Sequence, residues 1–290
     1  MGAYILGIRG RLLFRRVSCL LLLLLFKSQP VFAQLPFYTD DPAVTQPGKW
    51  HFEFFDEIDA LQSAQYPNLR QNTANLKLNY GLPHNLELDV DAPYLTIYRA
   101  TGSQTSKGFG DADLGVKWNF HKASSASRVP AFAASLYIEF PTGDTRQELG
   151  SGLTDYWLNF IVQKPFSDKT RLTANLGFLF TGNNATGAVG IQTTRGHVLT
   201  GGISLLHDLS PRLTLGGEIY GGVADNNGLA RSQLQGMLGG QYTLRSGMIL
   251  GFGLLGGQYV ASPRVGAQIG VSLDFPDVLR PSALTQNHIR

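Results

Sequence analysis

The feature that most constrains what this chain can fold into is a two-residue alternation of apolar and polar side chains, repeated in twelve separate runs after residue 47. Successive side chains on a strand point to opposite faces, so each run carries one greasy face and one polar face. Residues 48–58 set Trp50, Phe52, Phe54 and Ile58 against His51, Glu53 and Glu57. Residues 72–80, 86–92 and 111–120 repeat the pattern, followed by 132–140, 156–163, 172–180 and 197–205. Runs at 213–223, 234–244, 248–258 and 265–275 complete the series, and almost no helical period interrupts it.

A soluble sandwich also alternates, because its strands have one wet face. Three features favour a membrane barrel instead. The greasy face is apolar along most of each run. Aromatics recur near run ends (Trp50, Tyr80, Trp118, Phe120, Phe140, Tyr242, Phe275), where a membrane interface holds them. The links also alternate: long ones at 59–71, 99–110, 141–155, 181–196 and 224–232, short ones at 81–85, 165–170, 208–212 and 245–247, with 121–130 intermediate. Short turns on one side and long loops on the other are the barrel arrangement. The last hairpin, 260–264, departs from it with a short outer loop. Unpaired edge groups in hydrocarbon cost several kcal/mol each, so the first and last strands are expected to pair. The expected fold is an all-β, antiparallel transmembrane barrel of about 12 strands, of bacterial outer-membrane type, over residues 48–275.

The ends read as addresses. Arg9, Arg11, Arg15 and Arg16 precede a ten-residue apolar run, and Val31-Phe32-Ala33 supplies small residues at −3 and −1. This is the pattern of a cleaved signal peptide, residues 1–33, and the run is too short for a comfortable membrane anchor. Cys19, the single cysteine, lies inside it, so the mature chain has neither disulfides nor thiolate metal ligands. The leader also carries five basic residues and no acid, which turns a formal charge of +3 into a slightly acidic mature protein. Nucleic acid is not an expected partner. A mean hydropathy of −0.04 is far from that of a helical membrane protein. Residues 34–47 are expected as a periplasmic N-terminal segment at or inside the barrel mouth, and 276–290 as a periplasmic tail. Phe275 would be a terminal aromatic of the kind that outer-membrane assembly machinery reads.

The polar face is the expected lumen. Its first half is charged, with Glu53, Lys77, Asp89, Asp91, Asp111, Asp113, Lys117 and Glu139 as a possible substrate path alongside Glu87. The second half is mostly Gln, Asn and Gly; its only acids are Glu218, which also belongs to the possible substrate path, and Asp274. Lys77, Asp89 and Lys117 could instead pair across strands and brace the wall. The sharpest catalytic grouping is Asp40 and Asp41 near His51, and a turn or chain-entry role for Asp40-Asp41-Pro42 competes with it. No catalytic residue, cofactor or metal is assigned: there is no H-E-x-x-H and no Walker loop, and Asp111, Asp113 and Asp144 lack calcium-loop spacing.

Phe37-Tyr38-Thr39-Asp40-Asp41-Pro42, then Gly48-Lys49-Trp50, then the run from Lys107 to Lys117 containing Gly110, and finally Pro141-Thr142-Gly143-Asp144 with Gly150-Ser151-Gly152, form an ordered series. It resembles the outer-membrane family named for the MetA pathway of phenol degradation, a set of presumed transporters. The resemblance implies a barrel in the outer membrane that takes up aromatic or other hydrophobic compounds, in contact with lipid bilayer, lipopolysaccharide and a small hydrophobic substrate. A lipid-modifying barrel enzyme and a structural barrel with a plugged lumen are the alternatives.

Overall fold

The computed structural model describes residues 35–123, 129–180, 196–224, 233–245 and 247–276. The expected signal peptide and all but the first residue of the expected tail lie outside them. The strands are β1 (Lys49–Ala60), β2 (Asn68–Leu82), β3 (Leu86–Arg99), β4 (Ser106–Phe109), β5 (Ala112–His121), β6 (Ala131–Phe140) and β7 (Asp155–Ser167). They continue as β8 (Thr170–Phe180), β9 (His197–Ser210), β10 (Leu213–Ala224), β11 (Gln233–Thr243), β12 (Ile249–Gln258) and β13 (Val265–Pro276).

All neighbours are antiparallel, and β1 pairs with both β2 and β13, so the sheet closes on itself. The thirteen strands make twelve staves. β4 pairs with the far half of β3 (Tyr94 opposite Phe109) and β5 with its near half (Leu86 opposite Trp118), so both occupy one stave, broken at Gly110 and Asp111. The link expected at 99–110 therefore contains a strand. Several staves also outrun the expected bounds: β3 continues past Pro93 to Arg99, and β9 to Ser210. The extensions lie toward the rims, beyond the stretch where lipid on one face enforces alternation.

The wall is inverted relative to a soluble protein. Leu238 is 74% exposed and Leu254 68%, on the outer face, whereas Glu87, Asp89 and Lys117 are buried inside. Rings cluster at both rims: Trp50 meets Tyr80 at 4.6 Å and Trp118 meets Phe120 at 5.4 Å on the turn side, and Tyr94 meets Phe109 at 5.3 Å on the loop side. These are the two girdles of a membrane barrel.

Residues 35–46, expected at or inside the mouth, run across the inside of the barrel. Gln241 Nε2 on β11 donates to Leu35 O (2.6 Å), and Glu218 on β10 accepts from Tyr38 N and Thr39 N (2.9 and 2.8 Å). Asn175 on β8 accepts from Asp40 N (2.6 Å) and donates to Asp40 O (2.8 Å), Asn119 on β5 donates to Pro42 O, and Glu87 on β3 accepts from Thr45 N. Inward side chains thus take the place of strand partners for this backbone, and the segment forms a floor near the turn rim.

A charge placed on the outer face separates a lipid-facing wall from a wet one. Leu238, in the middle of β11, changed to Arg should cost about 2–4 kcal/mol of barrel stability. Urea unfolding in bilayers, followed by heat-modifiable gel mobility, measures this; a change below about 0.5 kcal/mol, usual for a water-exposed surface, would refute the lipid contact.

Candidate functional site: the lumen above the N-terminal floor

Strand register determines which lumenal charges meet. Glu53 stands opposite Lys77, Lys77 opposite Asp91, Asp91 opposite Asp113, Asp113 opposite Glu139, and Glu139 opposite Asp155. Six adjacent staves therefore carry one continuous row of ionisable side chains, five acids and one lysine. Barrel strands tilt by about 35–45°, so a row running straight across them climbs. It starts near the turn end of β1 and finishes at Asp155, the first residue of β7 at the loop rim.

The row borders a cavity of about 340 Å³ whose floor is Leu35 to Tyr38 and Asp40. Phe55, Tyr137, Trp157, Leu179 and Tyr220 supply much of its apolar lining. Tyr137 and Trp157 stand directly opposite each other with ring centroids 6.0 Å apart. Both rings are held at their polar tips: Tyr137 Oη donates to Asp89 Oδ2 (2.9 Å) and Trp157 Nε1 to Thr200 Oγ1 (3.0 Å). Tyr38 stacks on Tyr220 at 5.8 Å and donates to both oxygens of Glu57.

Several expected lumen residues have other tasks. Lys77 stands opposite Glu53 and Asp91 in register, Asp89 one inward position along β3 still exerts the strongest Coulombic pull on it, and its ammonium lies 6.0 Å from the Tyr137 ring centroid. Lys117 sits opposite Glu87, nearer the turn rim, so Lys77, Asp89, Asp113 and Lys117 do not share one height. Its Nζ lies 3.1 Å from Asp40 and 3.4 Å from Glu87, all three buried, and it ties the floor to the wall. Glu218 likewise holds the floor.

Asp111 is not on the path. It is fully buried at the break between β4 and β5, where its two oxygens accept from Gly143 N (2.8 Å) and Ser151 N (2.7 Å). It clasps the loop after Pro141 against the inside of the rim, and that loop's Leu149 packs with Leu61, Leu95 and Ile97. Thr142 Oγ1 adds a bond to Gly110 O, and Asp144 caps the turn Thr145–Gln147 by accepting from Arg146 N. The motif positions Gly110, Pro141, Gly143 and Asp144 thus build a clasp, and Asp40, Asp41 and Pro42 build the floor. The grouping of Asp40 and Asp41 with His51 does not form: Asp40 turns to Lys117, Asp41 accepts from Ala43 N, and His51 joins Asp274 (2.6 Å) and Glu53 (3.0 Å).

Some of the glycines in the second half of the lumen make room for the floor. A Cβ on Gly251 would lie 2.9 Å from Leu35 Cβ, one on Gly253 3.3 Å from Pro36, and one on Gly202 2.6 Å from Thr39 Oγ1. Missed in the sequence were Asp59, Asp155, Tyr137 and Trp157. Tyr137 shares parity with Glu139, which was placed inward, so its orientation was legible.

A sequence profile of the family described as "Putative MetA-pathway of phenol degradation" matches residues 40–275. Among solved structures, the fold is similar to the COG4313 outer membrane channel from Pseudomonas putida F1, with TM-score 0.60 and 14% identity over 81% of this chain and 98% of that one. It is also similar to the NanC porin, with TM-score 0.52 and 9% identity over 77% and 98%. The translocator domain of autotransporter NalP from Neisseria meningitidis gives TM-score 0.50 and 14% identity over 80% and 90%. No curated protein matches the sequence.

Two outcomes follow from the floor. Lys117→Met leaves Asp40 and Glu87 without their shared cation; losing one partner of a buried pair costs about 3–5 kcal/mol, less where water reaches it. The variant should melt at lower temperature by gel mobility and yield its residues before Lys49 to protease, and an unchanged result in both assays refutes the tie. Burial pushes the Asp41 carboxyl up to about 6, with Lys117 pulling the other way. Released from the lumen it returns to the ordinary ~3.9, so its contribution to seating is full below that value and lost as pH rises through about 6. Open probability in planar bilayers should rise from pH 5 to pH 7.5, and Asp41→Asn should flatten that rise; an equal rise in the variant rules Asp41 out as its source.

Proposed function

The chain belongs to that family, and we propose that it acts in the bacterial outer membrane as a channel or transporter for small molecules with an aromatic or otherwise hydrophobic body. One observation carries this reading: a lumenal cavity lined by Phe55, Tyr137, Trp157 and Tyr220 ends on a floor held only by hydrogen bonds, ion pairs and packing. Such contacts open locally without unfolding the wall. The molecule would enter between the outer loops, settle against the rings and leave when residues 35–46 shift. The surroundings implied are lipid bilayer, lipopolysaccharide on the outer side, and the assembly machinery that inserts barrels.

Purified protein in liposomes should speed uptake of an aromatic tracer over empty liposomes. Gly251→Val tests the floor as the barrier, because the three nearest atoms to a Cβ there all belong to Leu35. The variant should fold normally and raise tracer flux several-fold. Absence of flux in both proteins would overturn the channel and favour a plugged structural barrel.

A further inference from the structure

The outer half of the lumen has a composition that a purely hydrophobic cargo does not require. Among the described residues lining the cavity, eight are carboxylates and Lys77 is the one basic side chain. Glu139 and Asp155 face each other on β6 and β7, and one inward step below them Tyr137 and Trp157 do the same. Two acids thus sit directly over two rings that are anchored at their tips. An aromatic face attracts a cation through its quadrupole, and neighbouring carboxylates replace the water that the cation gives up. Asp113, next in the row, adds a third carboxylate beside this pair.

A second observation points to a ligand that donates hydrogen bonds. Asn75 Oδ1 and Gln268 Oε1 have no hydrogen-bond partner among the described residues. Their side chains line the same cavity and are both 6% exposed. Buried acceptors left in this state cost free energy unless something donates to them. A bare metal ion is a poorer match, because no three acids or histidines of the described residues converge as metal ligands do.

We propose, resting on the channel reading above, that the lumen selects organic cations: an ammonium group on an aromatic or apolar body. The ammonium seats between Glu139 and Asp155 over the Tyr137 and Trp157 rings. It then descends the row past Asp113 and Asp91 to Lys77, whose own charge occupies the corresponding place lower down. Rows of carboxylates in a narrow lumen favour cations over anions by the same field that holds them.

The full chain in detergent micelles is titrated calorimetrically with benzylammonium, benzenesulfonate and phenyl β-glucoside, which share a ring and differ in charge. The ammonium should bind about tenfold more tightly than either of the others. Glu139→Gln with Asp155→Asn should lower the ratio of ammonium to glucoside affinity about tenfold. Lys77→Gln should raise ammonium affinity, an outcome that a misfolded variant cannot produce. Equal binding of the three probes, or weaker ammonium binding by Lys77→Gln, overturns the proposal. Liposome flux of the same probes keeps the two readings apart. Flux of glucoside with no preference for ammonium removes the cation selectivity and leaves the channel, and ammonium binding without flux of any probe removes the channel.

Discussion

Everything in this molecule depends on the pairing of β1 with β13. In hydrocarbon an N–H or C=O without a partner costs several kcal/mol, and only closure removes the edge on which such groups would lie. Twelve register pairs join the two strands, from Lys49 opposite Pro276 to Ala60 opposite Val265. Closure in turn makes an inside, and an inside of this width needs filling. The charged wall and the glycine wall are two answers to that need: one fills its space with paired side chains, the other leaves room for a second stretch of backbone.

That second stretch shows how a lumen differs from a soluble core. Its backbone crosses a space where no strand is available, so individual side chains do the pairing. Asn175 does so most completely, accepting from Asp40 N and donating to Asp40 O as a neighbouring strand would. Glu218 spends both oxygens on two consecutive amides. Charges persist in this interior because partners meet them: Lys117 with Asp40 and Glu87, and His51 with Asp274 and Glu53.

The architecture was legible because lipid imposes its rule on every second residue, and a rule repeated along twelve staves is hard to mistake. Inward and outward faces follow from parity, which is why Glu53, Lys77 and Asp113 were placed correctly. Pairing was less legible, since parity says nothing of register: Lys77 stands opposite Asp91, and the Asp89 with which it was grouped reaches it from one inward position along β3. The roles of Asp111 and Glu218 were hidden for a different reason. Each serves a segment without periodicity, the loop after Pro141 and the floor, and such segments leave no trace in a pattern of alternation. Gly202, Gly239, Gly251, Gly253 and Gly270 signalled the floor, but a missing side chain reads as empty space until something is seen to occupy it.

The floor also has a place in time. Its contacts join residues far apart in the chain: Thr45 to Glu87 at a separation of 42, Asp40 to Asn175 at 135, Tyr38 to Glu218 at 180 and Leu35 to Gln241 at 206. Contacts of such span are slow to form, because the entropy of closing the chain between them is lost before they repay it. Here they also need β3, β5, β8, β10 and β11 already in their places around one lumen. The N-terminal segment, first in sequence among the described residues, therefore finds all its partners only where these strands enclose one lumen.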